Sequence, residues 1–159
     1  PYPLGYNGLG DVFVIAFFGL IAVGFTFFVQ AGYFSPLVWP VGLACGLVIN
    51  NLLVVNNFRD YHSDLRAGKR TLAVRFGRSF VWYQYIASNA IALAVPVFLL
   101  AFPGGSRWLL LPLVLAIPMA RLGVAMKRAH DREEFDWVLA NTAKVLVGYG
   151  LLLTIGILA

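Results

Sequence analysis

Apolar residues fall in long runs along this chain, and the polar and charged residues are gathered between them. A hydrocarbon core about 30 Å thick needs about 20 apolar residues in a helix that crosses it. Five runs reach that length, and we expect each of them to form a transmembrane helix. The predicted spans are 11–32, 37–56, 80–102, 108–127 and 137–159. The pattern therefore predicts an all-α integral membrane protein with about five transmembrane helices.

Composition supports this interpretation and excludes most other classes of protein. Hydrophobic residues make up 60% of the 159 positions and charged residues only 12%, whereas soluble domains contain about 25% charged residues. A water-soluble globule of this size could not bury so much apolar side chain. With one cysteine, the chain cannot be a disulfide scaffold, and its high hydrophobicity excludes intrinsic disorder.

Basic residues are concentrated in two of the connections between the spans. Six of the twelve lie between Arg59 and Arg78, and three more lie between Lys127 and Arg132. Such clusters could suggest nucleic-acid binding, but short cytoplasmic loops of membrane proteins also collect Lys and Arg. We therefore expect a lipid bilayer and no nucleic acid as partner. The expected location is the plasma (inner) membrane, with the loop 57–79 on the cytoplasmic side.

Acidic residues at a fixed spacing in this loop are not explained by topology. If the preceding helix continues into the loop, Asn56, Asp60 and Asp64 lie at positions i, i+4 and i+8 on one face. Two carboxylates one turn apart repel each other unless a cation lies between them. Mg²⁺ binds one or two carboxylates and fills its other positions with water and substrate phosphate. Asp60 and Asp64 are therefore the candidate metal ligands, although a solvated helix end with local Asp–Arg pairs remains an alternative.

Cations that follow the two carboxylates complete the pattern. Lys69, Arg70 and Arg75 can bind the oxygens of a diphosphate, and Gly68 leaves space for a ligand or a close backbone approach. A metal and several cations together would stabilise a departing diphosphate. We predict that Asp60, Asp64 and Lys69 are the catalytic residues of such a site.

Further candidates for substrate binding lie near the loop and within the last span. They are Asn56, Asn57, Arg59 and Lys144. Arg121 and Lys144 are charges inside predicted spans, where a charge is costly and marks a candidate functional site. Arg121 could extend its side chain to the interface, and Lys144 could do the same or bind a substrate carboxylate. The charged segment 128–136 is expected to be a solvated loop, with a second metal site as the less favoured alternative.

Residues 56–77 carry a resemblance to a known family. The string NNFRDYHSD followed by GKRTLAVRFG closely resembles the second aspartate-rich motif of the UbiA superfamily of intramembrane aromatic prenyltransferases. Residues 1–11 also resemble the loop and helix start that precede the fifth helix in the menaquinone branch of that superfamily. The chain most resembles the menaquinone branch, whose aromatic acceptor is 1,4-dihydroxy-2-naphthoate.

The resemblance implies an architecture larger than this chain. Members of the superfamily form a nine-helix bundle around a central cavity that is open to lipid. The five predicted spans correspond to the later helices, so residues 1–159 would be a single transmembrane domain and the C-terminal half of a longer chain. The first aspartate-rich motif would lie in the missing N-terminal half of the same enzyme. We expect this half alone to be inactive.

The resemblance also implies a reaction. A polyprenyl group would pass from polyprenyl diphosphate to 1,4-dihydroxy-2-naphthoate, with release of diphosphate and CO₂ and formation of demethylmenaquinol. Mg²⁺ would be the cofactor, and Asp60 and Asp64 match the metal-binding aspartates of the second motif. Another superfamily member with a homogentisate, chlorophyllide or haem acceptor remains an alternative. From other classes, a small membrane transporter or a purely structural membrane subunit remains open.

Overall fold

The computed structural model describes residues 4–159, and all regular secondary structure in that range is helical. Five helices are long and apolar enough to cross a membrane, as the hydropathy pattern predicts. The helices are α1 (Gly10–Ala31), α2 (Val38–Arg59), α3 (Tyr61–Arg66), α4 (Leu72–Phe76), α5 (Arg78–Leu99), α6 (Arg107–Arg128) and α7 (Arg132–Leu158). The first three residues of the segment 1–11 lie outside the described residues.

The last span begins earlier than predicted, because the sequence supplies a helix start there. α7 begins at Arg132 and not at 137. The Asp131 side chain accepts a hydrogen bond of 2.8 Å from the Glu134 backbone N–H, which caps one of the free N–H groups of the first turn. Glu133 and Glu134 in that turn also interact favourably with the helix dipole. Residues 132–136 are therefore helical and not a loop, although Glu133, Glu134 and Asp136 are exposed, as expected.

The helix that leads into the charged loop is interrupted at Asp60. We expected it to continue, but α2 ends at Arg59, and Asp60 joins it to α3 with φ −87° and ψ 9°. Two backbone hydrogen bonds of 2.8 Å, from Asp60 to Asn56 and from Asp64 to Asp60, bridge the junction. These bonds keep the helical i to i−4 spacing, so the two carboxylates remain one turn apart.

α2 is the central helix of this arrangement. It packs against α1, α5 and α7, and Ala44, Val48 and Val55 on it are almost fully buried. Two buried asparagines on it, Asn50 and Asn51, donate hydrogen bonds to neighbouring helices, as is typical of polar residues in membrane bundles. One of these is the hydrogen bond of 2.8 Å from Asn51 to Asn89 of α5.

A buried carboxylate links three of the spans near the start of α1. Asp11, which is 4% exposed, accepts hydrogen bonds from Asn50 of α2 at 3.0 Å and from Gln84 of α5 at 2.7 Å. The hydropathy pattern places Asp11 at the start of the first predicted span, and it does not identify these two partners. The amide donors explain how a carboxylate is accommodated between helices.

Glycines allow α1 and α2 to approach closely. Gly19, which lies in the π-helical part of α1 (Ile15–Ile21), faces Gly42 and Gly46 of α2. A Cβ atom on Gly19 would lie 2.5 Å from the Gly42 carbonyl oxygen and 2.7 Å from the Gly46 Cα. Small residues at such contacts are typical of helix pairs in membranes, where close backbone packing supplies much of the association energy.

We predict that Gly19→Ala destabilises the protein, because the new Cβ meets backbone atoms that cannot move independently. The expected loss is about 1–3 kcal/mol of unfolding free energy, seen as a lower thermal unfolding midpoint in detergent. Gly150→Ala in α7 is the matched control, since no atom lies within 4 Å of its added Cβ. Equal midpoints for both variants would contradict this account of the α1–α2 contact.

Candidate functional site

The loop after α3 folds back onto the buried carboxylate of Asp64. The Lys69 backbone N–H donates to the Asp64 carbonyl oxygen at 3.0 Å, and Gly68 makes the turn with φ +70°, a conformation that suits glycine. This turn brings the Lys69 ammonium within 2.8 Å of Asp64 Oδ1. The Asp64 side chain is 6% exposed, so the lysine compensates a carboxylate that is largely removed from water. The hydrogen bond to Asp64 raises the pKa of Lys69, which keeps the ammonium charged.

Asp60 has a different cation. Arg59 Nε and Nη2 donate to its two carboxylate oxygens at 2.8 and 3.1 Å, and Arg59 Nη1 donates to Asp136 of α7 at 2.9 Å. The hydrogen bond from Arg59 lowers the pKa of Asp60 below its ordinary value. Asp60 is therefore ionised at neutral pH, and the arginine also ties the end of α2 to the start of α7.

Residues 59–78 and 127–136 lie at one end of the bundle, which we call the charged end. Both carboxylates line one open cavity of about 520 Å³ at this end. Asp60, Asp64 and Lys69 contribute to one wall. The connection between α6 and α7 and the first turn of α7 also contribute to the lining. The lining residues are Arg59, Asp60, Ser63, Asp64, Ala67, Lys69, His130, Asp131, Arg132 and Phe135.

The donor set of this cavity fits a hard divalent cation that is shared with a phosphate ligand. Mg²⁺ uses one or two protein carboxylates together with water and phosphate oxygens, and Asp60 and Asp64 supply two carboxylates one turn apart. Among residues 4–159 no cluster of three or more Asp, Glu, His or Cys side chains could hold a metal ion by itself. The chemistry of these residues therefore suits an ion that brings oxygen ligands of its own.

Other predicted site residues lie around this cavity but do not line it. Arg70 and Arg75 are exposed and lie beside the segment 4–9: the Arg70 N–H donates to the Tyr6 carbonyl oxygen at 2.7 Å, and the Arg75 side chain lies against Gly8. Asn56 is half-buried and Asn57 is buried in the last turns of α2. Of the residues predicted to bind substrate, Arg59 alone is among those that line the cavity.

Lys144 is not brought to this cavity. It lies on α7 and lines a separate groove between α6 and α7, together with Arg121. Its ammonium donates to Asn141 Oδ1 at 3.3 Å. The structure therefore separates it from the Asp60–Asp64 pair.

Sequence reasoning missed part of the cavity lining. It assigned His130, Asp131 and Arg132 to a solvated segment, and they are exposed, but they also line the same cavity as Asp60 and Asp64. The available signal was topological, because two charged connections predicted on the same side of a membrane can meet in space. Spacing along the chain could not show that they do.

Comparison with known proteins identifies relatives over almost the whole chain. Residues 1–153 match the model of the UbiA prenyltransferase family. The chain is 32% identical, over 98% of its length, to the 1,4-dihydroxy-2-naphthoate octaprenyltransferase of Haemophilus influenzae, of which it covers 51%. It is 34% identical, over 94% of its length, to the protein of that name from Mycobacterium tuberculosis, of which it covers 50%.

An animal relative is similar over the same region. The chain is 34% identical, over 96% of its length, to human UbiA prenyltransferase domain-containing protein 1, of which it covers 44%. No solved structure gives a significant match. The chain therefore spans about half the length of the curated relatives it matches.

We predict that Arg59→Gln raises the pKa of Asp60 towards the ordinary value of an aspartate, because the substitution removes the hydrogen bond that favours the ionised form. A carboxyl ¹³C titration of selectively labelled protein in micelles measures this pKa. The exposed Arg66 provides the control, and Arg66→Gln should leave the Asp60 titration unchanged. An unaltered Asp60 pKa in Arg59→Gln would contradict the assignment.

The same pair makes stability depend on pH. The depressed pKa of Asp60 contributes stability above the ordinary aspartate pKa, and that contribution is lost as the pH falls through the folded-state value. The unfolding midpoint should therefore fall less on acidification in Arg59→Gln than in the unaltered protein. An equal fall in both proteins would show that the pair contributes nothing to stability.

Proposed function

The chain belongs to the UbiA prenyltransferase family, and on that premise we propose that it contributes to an enzyme that prenylates 1,4-dihydroxy-2-naphthoate. The donor is a polyprenyl diphosphate, and the products are demethylmenaquinol, diphosphate and CO₂. The acceptor is proposed from the printed names of the bacterial relatives. Membership in a prenyltransferase family supports enzymatic activity, and the five membrane-length helices place the chain in a bilayer.

One observation carries the proposal for the site: Asp60, Asp64 and Lys69 meet at one cavity at the charged end of the bundle. A diphosphate head group in that cavity would face two carboxylates that can hold Mg²⁺ and an ammonium that can bind phosphate oxygens. Mg²⁺, when bound, neutralises charge on the diphosphate and makes it a better leaving group. We propose Asp60 and Asp64 as the residues that hold it.

The cations of the loop stabilise the departing group in this proposal. Lys69 keeps its charge through its pairing with Asp64 and can donate to a diphosphate oxygen beside that carboxylate. Arg70 follows Lys69 directly, and Arg75 lies against Gly8; both are exposed on the same loop. In this proposal they add positive potential near the site and attract the negatively charged diphosphate.

The bond changes of the proposed reaction balance without a further reactant. The C–O bond of the allylic diphosphate breaks, and its electron pair leaves with the diphosphate. The ring carbon of the acceptor that carries the carboxylate forms the new C–C bond to the allylic carbon. Loss of CO₂ then returns a bonding pair to the ring and restores its aromaticity.

Arg59 acts in this scheme through Asp60 and not through the substrate. It binds both oxygens of Asp60 and one oxygen of Asp136, so we propose it as a positioning residue. Asn56 accepts the Asp60 backbone N–H through its carbonyl oxygen, and Asn57 lies beside it in the same helical turn. The backbone carbonyl of Asn56 thereby helps to fix the position of the Asp60 main chain.

We propose that activity also requires the first aspartate-rich motif, which would come from outside these 159 residues. The donor set described here has two carboxylates on one wall of an open cavity, and the chain spans about half the length of its curated relatives. The charged end is proposed to face the cytoplasm, since it carries most of the Lys and Arg residues.

Other acceptors remain the nearest alternative, because the animal relatives' printed name gives no acceptor. Competition between 1,4-dihydroxy-2-naphthoate and homogentisate in one assay separates the two possibilities. A transporter or purely structural subunit gains no support from the family match.

We predict that Asp64→Asn lowers prenyl transfer by at least about 100-fold, because it removes one of two carboxylates that hold the charge-neutralising ion. The assay uses membranes that contain the complete protein, a labelled polyprenyl diphosphate and 1,4-dihydroxy-2-naphthoate, with Mg²⁺ or with EDTA. Glu133→Gln, which removes an exposed carboxylate from the first turn of α7, is the control and should keep full activity.

Product that is independent of Mg²⁺ and of Asp64 would exclude this site as the place of reaction. Product with another aromatic acceptor only would keep the mechanism and change the substrate.

A further inference from the structure

A groove between α6 and α7 brings together two cations that the sequence places in membrane spans. The groove has a volume of about 330 Å³, and both Arg121 and Lys144 line it. The two residues are 23 positions apart in the chain, and hydropathy alone could not show that they share one surface. The groove is separate from the Asp60–Asp64 cavity, since no residue lines both.

Neither cation has a carboxylate partner in the described part of the chain. The ion pairs within residues 4–159 join Arg59, Lys69 and Arg132 to aspartates, and none includes Arg121 or Lys144. Lys144 has a neutral hydrogen-bond partner in Asn141. Two neighbouring cations in a spanning region repel each other and are costly without an anion.

The position of the two cations along their helices indicates what kind of anion can reach them. Arg121 lies seven residues before the end of α6, which corresponds to about 10 Å of helix. Lys144 lies seven residues beyond Trp137, which also lines the groove. Tryptophan is typical of the interface between lipid head groups and hydrocarbon, so long cationic side chains below it reach the phosphate level.

Apart from Asn141, the rest of the groove is mainly apolar. Leu115, Pro118, Leu122 and Val145 line it beside the two cations. A ligand that fits this surface has an anionic head and an apolar body that continues along the helices. Basic pockets between transmembrane helices bind anionic lipid head groups in this way.

We propose that Arg121 and Lys144 form a binding site for an anionic phospholipid, with its phosphate between the two side chains and an acyl chain along Leu115, Pro118 and Val145. Charge complementarity selects this occupant over a neutral lipid. Asn141 orients Lys144 through the hydrogen bond to its ammonium. The site is distinct from the proposed substrate site, so it gives the enzyme a means to respond to the charge of the surrounding membrane.

The test measures lipid binding to the complete protein in neutral detergent micelles. Dioleoyl phosphatidylglycerol or dioleoyl phosphatidylcholine is titrated in, and bound lipids are counted by native mass spectrometry. We expect the unaltered protein to bind the anionic lipid at least tenfold more tightly. Each cation removed should weaken that binding about fivefold, and Arg121→Gln/Lys144→Gln together about 25-fold, with phosphatidylcholine binding unchanged.

Two control variants separate the groove from general surface charge and from misfolding. Lys127→Gln makes the same change of charge on α6, but Lys127 lies over the Trp82 ring and outside the groove, so binding should be retained. Arg121→Lys/Lys144→Arg keeps both charges and should also bind phosphatidylglycerol. Melting curves of all variants confirm that each is folded.

Several outcomes would overturn the proposal. One is a double Gln variant that binds phosphatidylglycerol as tightly as the unaltered protein, and another is an equal loss in Lys127→Gln. Equal binding of the two lipids by the unaltered protein would show that the groove does not select an anionic lipid. Another segment, or no ligand, would then occupy it. Binding of a prenyl diphosphate without binding of phosphatidylglycerol would assign the groove to the donor substrate instead.

Discussion

The close packing of α2 against α1, α5 and α7 determines where the carboxylates of the site lie. In hydrocarbon every backbone polar group needs an internal partner, so a helix can end only where water or other protein groups supply hydrogen bonds. α2 ends at Arg59, at the first group of charged residues, and Asp60 and Asp64 follow within one turn of each other. The glycine contact with α1 and the buried Asn51–Asn89 hydrogen bond fix the position of α2 along its axis relative to α1 and α5. Because the carboxylates follow the end of α2, their position along the bundle is fixed as well.

Charge balance explains how two carboxylates one turn apart coexist. Arg59 neutralises Asp60, and Lys69 neutralises Asp64, so neither aspartate is left as an uncompensated charge. In the proposed site, a divalent ion on Asp64 would have to compete with the Lys69 ammonium. Lys69 would then stabilise the loop before a ligand binds and could bind the diphosphate afterwards.

The sequence predicted the features that depend on local pattern. Five spans follow from runs of apolar residues, and the proximity of Asp60 and Asp64 follows from a spacing of four. The prediction failed where the outcome depends on a local cap, since Asp131 starts α7 five residues before the predicted span. It also failed where residues distant in the chain meet, as at the cavity wall of His130 and Asp131.

Two other tertiary contacts show the same limit. Asp11 finds its amide partners 39 and 73 residues later in the chain, and neither partner lies in a recognisable motif. Arg121 and Lys144 each looked like an isolated charge near a membrane interface, and only the packing of α6 on α7 unites them. Polar residues within apolar spans therefore indicate a functional or structural contact, but the sequence does not identify the partner.

The central claim is that Asp60 and Asp64 together hold a divalent ion that is shared with a diphosphate. Electron paramagnetic resonance of Mn²⁺, used in place of Mg²⁺, tests it in the complete protein with an unreactive prenyl thiolodiphosphate. The account predicts tight Mn²⁺ binding that requires the diphosphate analogue and weakens at least about tenfold in Asp60→Asn and in Asp64→Asn. Glu133→Gln should bind as the unaltered protein does. Equal Mn²⁺ binding in all four proteins, or binding that ignores the analogue, would contradict the account.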